Sequence, residues 1–199
     1  IESPEPMSDN VRIRIRFTKL GDLRMISHRD LVRAIERLFR RVGVSLAMSQ
    51  GFHPRPLMTF PDALALGIAA EDEVMDLVLS ESIEPEEFKA RLNANCPAGL
   101  TIVDVRTLRD GERKAKIKRV VYTMDLPDDT TAEDLGDAVE QLKATSTLSV
   151  ERREKQIDID LSEALDELWI DEHQFFMSIR NVQQSQLQPR DILAAIGLQ

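Results

Sequence analysis

Cysteine is almost missing from this chain of 199 residues, where Cys96 stands alone. One cysteine excludes an internal disulfide and fits a reducing compartment. It also excludes an iron–sulfur cluster held by the chain's own thiolates, which takes several cysteines. Histidine is nearly as scarce. His28, His53 and His173 are scattered and, with Cys96, show no paired ligand spacing, so no metal is expected. Aromatic residues are thin, with one Trp, one Tyr and seven Phe. They are not interleaved with bases in the manner of a sheet that reads RNA. The glycines match neither a phosphate-binding loop nor a dinucleotide fingerprint, and no cofactor is expected. No apolar run approaches the ~18–20 residues that span a bilayer. The opening IESPEPMSDN lacks a basic start followed by an apolar core. The expectation is a cytoplasmic protein without a membrane partner. Because the first residue is not methionine, a piece of a longer polypeptide is expected, with residues 1–10 as a disordered lead-in or linker.

Hydrophobic residues make up 42% and charged residues 31%, ordinary for a globular chain. The net charge of −9 argues against a polyanionic partner, but its distribution argues for one. Residues 11–56 hold eleven bases and three acids, or +8, and the remainder holds fifteen bases and thirty-two acids, or −17. A basic face on an acidic body follows, and the local field matters more to a polyanion than the total.

Residues 11–18, VRIRIRFT, alternate strictly and predict a half-buried strand, its arginines either a solvated face or a basic platform. Ser27 and Asp30 predict a capping box opening a helix. Leu31, Ile35, Leu38 and Val42 form its apolar stripe, and Gly43 stops it. Arg29, Arg33, Arg37 and Arg41 lie four apart on a second stripe that only Glu36 interrupts. Such a stripe is either the wet side of the helix or a surface neutralised by acids of the fold, a partner protein or phosphates. Residues 44–50 suggest a short strand. Gly51-Phe52-His53-Pro54-Arg55-Pro56 cannot be regular structure, because prolines fix the backbone and remove donors. It is either a rigid binding loop or a turn that tucks Phe52 into the core. A strand within 57–68, a strand at 73–80, a helix at 85–95 and a strand at 100–108 follow.

That order, β-α-β-β-α-β over residues 11–108, predicts a ferredoxin-like split βαβ half in an α+β protein. Residues 109–118, RDGERKAKIK, form a basic connection. Residues 119–199 give a strand at 119–126, a helix at 131–144 and strands at 148–153 and 156–161 around a turn at Glu154-Lys155. A hairpin at 168–181 and a helix from Pro189 to Ile196 close the chain. This half is expected to be a degenerate second ferredoxin-like copy.

Ser27-His28-x-Asp30-Leu31-x-Arg33, Glu36-Arg37, Arg40-Arg41 and Ser49-Gln50-Gly51-Phe52 resemble the signature of the radical-SAM-linked protein family. The closing Pro189-Arg190-Asp191-Ile192-Leu193 is similar to that family's last helix. The family is a domain of unknown function encoded beside, or fused behind, a B12-binding radical SAM protein. The resemblance implies such a protein as partner. With its single cysteine the chain is not itself the radical enzyme.

Three functions remain open. The first is a non-catalytic accessory module that binds RNA or another phosphate-rich substrate. Its anion contacts would come from Arg29, Arg33, Arg37, Arg41 and Arg55, with Gln50, Gly51, Phe52 and His53 shaping the site. Arginine suits phosphate because its planar fork donates two parallel hydrogen bonds. The second is a hydrolase or endoribonuclease in which His28 and His53 converge as acid and base. The third is a protein adaptor whose arginines dock on the radical SAM partner.

Overall fold

The structure, a computed structural model, describes residues 10–63, 65–153, 155–181 and 187–198. The proline-containing lead-in at positions 2–6 lies outside them. The chain divides into two compact units, residues 1–116 and 117–199. Each combines helices with antiparallel sheet, so the protein is α+β. Among the described residues no helix is long and apolar enough to cross a membrane.

In the first unit β1 (Val11–Lys19) alternates as its sequence dictates, with Ile13, Ile15 and Phe17 fully buried on one face. A short 3-10 helix (Gly21–Met25) leads to α1 (His28–Arg41). The Ser27 hydroxyl accepts from Asp30 N at 3.2 Å and donates to the Asp30 carboxylate at 2.7 Å. Asp30 therefore turns to the hydroxyl and not to the Ser27 backbone, leaving half of the expected capping box. Leu31, Ile35, Leu38 and Phe39 are buried, each contributing roughly 1.5–3 kcal/mol. Gly43, at φ +70, follows the helix in a left-handed conformation.

The strands expected at 44–50 and 57–68 shrink. The first is two isolated bridges, Leu46 to Leu79 and Met48 to Pro56, and the second is β2 (Met58–Thr59). Pro54, Pro56 and Pro61 carry no N–H, so a continuous ladder cannot form here. The backbone instead follows the edge of β3 (Ala70–Leu79). Ala47 N donates to Val78 O at 2.8 Å, and Val78 N donates to Leu57 O at 3.0 Å. α2 (Pro85–Asn93), capped by Glu84, ends two residues short of its expected limit, and β4 (Leu100–Thr107) follows. The sheet order is β2-β3-β1-β4 with every neighbour antiparallel, so two β-α-β units interlock. Both helices feed one core, where Phe39 meets Phe88 at 5.9 Å between ring centres.

In the second unit β5 (Arg119–Asp125) leads to α3 (Ala132–Ala144), which Thr131 and Asp134 open with a complete capping box. Among the described residues β6 (Thr147–Arg152) and β7 (Lys155–Asp160) pair only with each other. Glu154, in the turn expected between them, lies outside the described residues. A one-turn α4 (Leu161–Ala164), which the sequence reading lacks, precedes β8 (Leu165–Asp171) and β9 (Gln174–Arg180). The final hairpin thus starts three residues earlier than expected. The sheet order is β5-β9-β8, with β9 at the centre, unlike that of the first unit. α5 (Pro189–Ala195) closes on a core that includes Leu135, Val139, Phe175, Met177 and Ile192.

Candidate functional site

The outer face of β1 carries Arg12, Arg14 and Arg16, and the chain itself satisfies all three. Arg14 holds Asp76 through two hydrogen bonds and donates a third to Arg113 O at 3.0 Å. Arg12 donates to Glu112 O at 2.7 Å. Arg16 forks onto Asp72 at 2.7 and 2.5 Å. The expected basic connection folds back over this face. Glu112 accepts from Arg106 at 2.7 and 3.1 Å, and Ala115 N donates to Asp76 at 2.7 Å. The Arg106 hydrogen bond, with support from the Arg109 N–H and nearby charge, holds the Glu112 carboxyl down to about 2. Burial pushes Asp76 up, but the Arg14 hydrogen bond, the Ala115 N–H and the guanidinium charges outweigh it and leave the carboxyl below its usual range. Residues 112–115 cover Arg12 and Arg14, and Arg16, though exposed, is held by Asp72, so the β1 arginines are engaged within the fold and do not form an open platform.

α1 differs. Arg29, Arg33, Arg37, Arg40 and Arg41 are all exposed. Arg33 reaches its own helix's Asp30 at 3.4 Å, and Arg41 donates to Asn95 O at 3.0 Å. Among the described residues Arg29, Arg37 and Arg40 have no hydrogen-bond or ion-pair partner. A cleft of about 100 Å³ opens beside Arg37 and Arg41, lined by Ala34, Leu38 and Pro97.

The glycine–proline loop is closed at its base and open at its tip. Ser49 N donates to Arg55 O at 2.7 Å, Arg55 N donates to Ser49 Oγ at 3.0 Å, and Met48 bridges Pro56. Gln50, Gly51, Phe52, His53, Pro54 and Arg55 are all exposed. Phe52 has a relative accessibility of 102%, which overturns the reading that tucks it into the core. Gly51, at φ +133, takes a conformation that side chains rarely adopt.

His28 is half-buried with its ring edge-on to Phe60, 5.1 Å between centres, and Phe60 packs in turn on Phe17 at 6.4 Å. Among the described residues no hydrogen bond, ion pair or ring contact joins His28 to His53, or the loop to the arginine stripe. The structure thus assembles two surfaces in one unit, a cationic helix side and a rigid loop. The histidine pair that acid–base chemistry needs is not among its contacts.

Sequence reasoning missed a buried lysine and a half-buried carboxylate that acts on it. Lys19 is 1% exposed and Nζ donates to Ile26 O at 3.4 Å. Burial pushes its pKa down, partly offset by Glu73. Glu73 is raised to about 7, first by burial and then by Asp62 and Asp72, with Lys19 opposing. The signal was available. Lys19 continues the inward row Ile13, Ile15, Phe17, and Glu73 begins the inward row Met75, Leu77, Leu79. Cys96 is half-buried and its thiol is pushed up by burial. Among the described residues no group of three or more His, Cys, Asp or Glu is placed to hold a metal ion.

The family model described as "Uncharacterized protein conserved in bacteria (DUF2344)" matches residues 12–189. No curated protein matches the chain.

Proposed function

We propose, for a chain that belongs to the DUF2344 family of proteins conserved in bacteria, that it is a non-catalytic accessory module holding a structured RNA. The observation that carries this reading is a contrast between two sets of arginines. Those of β1 are satisfied inside the fold, whereas those of α1 stand exposed and three have no hydrogen-bond or ion-pair partner among the described residues. A row of like charges along a helix is destabilising by itself. Asp30 and Glu36 are the helix's two acids against five arginines, and an external polyanion would relieve the excess, with release of its counterions supplying affinity.

The loop adds a different chemistry. Arg55 offers a further cation, and Phe52 is free to stack on an unpaired base. Contacts of this kind hold backbone and shape more than they read sequence. The partner to which such an RNA would be presented is a B12-binding radical SAM protein. That part rests on the likeness of Ser27–Arg41 and Ser49–Phe52 to the radical-SAM-linked family, and a cytoplasmic location, which the lone Cys96 fits, belongs to the same reading.

The test is retention of total cellular RNA by the purified chain at low and high salt, beside the Arg33→Glu, Arg37→Glu variant. Retention at low salt that disappears in high salt and in the variant supports phosphate contact by α1. Absence of retention at every salt concentration would sink the RNA reading, and the arginines would then serve as a docking surface for the partner protein.

A further inference from the structure

The second unit carries a groove that the first unit's arginines do not explain. It lies between the β6–β7 hairpin and α5 and measures about 1300 Å³. That exceeds the roughly 300–1,000 Å³ of small-molecule sites and points to a longer ligand.

Its walls have a defined order. Every residue from Leu148 to Arg153 lines it, whereas β7 contributes only Lys155 and Ile157. A strand that offers one face shows every second residue. A strand that shows all of them borders the groove with its edge. β6 pairs with β7 alone, so among the described residues that edge is unpaired. Leu148, Val150 and Ile157 pack against the core beneath, and Ala194 of α5 faces them across the groove. Arg152 and Asp191 form a largely buried ion pair that ties the hairpin to α5, with Gln188 N donating to the same Asp191 carboxylate at 2.9 Å.

Charge selects the occupant. Residues 117–199 hold eight bases and seventeen acids, a net of −9. Four of the eight bases, Arg152, Arg153, Lys155 and Arg190, line this one groove. Arg153, Lys155 and Arg190 are exposed and have no partner among the described residues. A body this acidic repels an extended polyanion, which disfavours nucleic acid here. A short segment that brings a few carboxylates to a cationic rim is not subject to the same repulsion.

We propose that the groove between β6 and α5 binds an extended acidic peptide segment of a partner protein by strand addition along residues 147–151 of β6, on the edge that has no ladder partner among the described residues. Alternate apolar side chains of the segment would meet Leu148, Val150 and Ala194. Its intervening carboxylates would meet Arg153, Lys155 and Arg190. Main-chain hydrogen bonds supply affinity in this mode and alternate side chains supply specificity.

The experiment uses the full chain and a fluorescein-labelled ten-residue peptide that alternates Glu with Val, followed by anisotropy. An N-methylated copy of the peptide removes its ladder donors without touching the protein, and Arg153→Glu, Arg190→Glu reverses two exposed rim charges. The expected result is saturable binding that weakens at least tenfold with the N-methylated peptide and at least tenfold in the variant. Binding indifferent to N-methylation, or to charge reversal, would overturn the proposal, as would no binding at millimolar peptide. Displacement of the peptide by inorganic polyphosphate together with indifference to N-methylation would also overturn it, as an anion site without strand addition. The Arg33→Glu, Arg37→Glu variant keeps full peptide binding, which separates this result from the fate of the RNA reading.

Discussion

Arg14 grips Asp76 in a two-pronged ion pair, Nε to Oδ1 at 2.7 Å and Nη2 to Oδ2 at 2.9 Å, beneath residues 112–115. Asp76 is 7% exposed and also accepts the Ala115 N–H. Removing the guanidinium leaves a buried carboxylate whose main cation is gone. Arg14→Met is therefore expected to cost about 3 kcal/mol in urea unfolding at neutral pH. Arg14→Met combined with Asp76→Leu should cost less than Arg14→Met alone, because no buried charge is then stranded. A double variant weaker than both singles would mean that the pair itself, not the avoidance of a stranded charge, holds residues 112–115 down. The folded Asp76 carboxyl lies below its ordinary value of 3.8. Its contribution is therefore present above that pH and is lost as pH falls through the folded value.

Glu73 works in the opposite sense. Its carboxyl is raised from 4.5 to about 7 by burial and by Asp62 and Asp72, with Lys19 opposing. The folded chain therefore holds a proton that the unfolded chain has released between those two values. The Glu73 contribution to stability is greatest below about 4.5 and declines as pH rises to about 7. Glu73→Gln removes the penalty. It should be more stable than the parent at pH 8 by on the order of 1 kcal/mol, a discounted figure because the side chain keeps partial exposure. The advantage should vanish at pH 4. Melting temperatures of both proteins at the two pH values decide this, and a variant that melts lower at both would show a carboxylate held by Lys19 and not strained by its surroundings.

The elements legible in the sequence are those fixed by neighbours close along the chain. Residues 11–18 alternate with period two, and the helix from Ser27 to Gly43 has its cap, stripe and stop within seventeen positions. The partners of Arg14 and Arg16 lie 62 and 56 residues away. Nothing local distinguished those arginines from the ones on α1, so both sets looked equally available for a ligand. The pairing of β5 with β9 is non-local too, and the local order of the second half suggested a repeat of the first that its sheet order does not follow. Lys19 and Glu73 belong to a different class. Lys19 stands one position beyond the strand expected at 11–18 and Glu73 is the first residue of the one expected at 73–80, so neither has an inward neighbour on its far side to mark it as part of the row. The fate of Phe52 was open because a proline-bounded loop dictates a rigid backbone and says nothing about which way its tip points.

Gly99 and Gly111 make a matched pair for testing backbone strain. Both have positive φ, +84 and +76. A Cβ on Gly99 would sit 2.3 Å from Leu20 O, in a close approach where Leu20 N donates to Gly99 O at 2.8 Å. A Cβ on Gly111 would meet nothing within 4 Å. Gly111→Ala should thus cost only the left-handed conformation, about 1 kcal/mol. Gly99→Ala adds a backbone clash and a weakened hydrogen bond, for about 3 kcal/mol in all. Chemical denaturation of the two variants checks the difference, and equal losses would show that the 3-10 helix after β1 shifts freely to make room.

Phe52 offers a separation of stability from function that the arginines do not. Its side chain has no burial to lose, so Phe52→Ser should leave unfolding within about 0.5 kcal/mol of the parent. If the ring stacks on an unpaired base, the same change weakens RNA retention by about tenfold, since such a stack contributes roughly 1–3 kcal/mol. The salt dependence should stay as steep as in the parent, because no cation is lost. Arg33→Glu, Arg37→Glu should instead flatten that dependence, because two phosphate-facing charges are reversed. The two variants therefore report on different halves of the proposed interface. A Phe52→Ser protein with unaltered affinity and unaltered salt slope would leave the arginine stripe as an RNA surface and remove the loop from it. The exposed ring would then have to meet a protein pocket in the partner, where an aromatic anchor at the tip of a rigid loop loses little conformational entropy on binding.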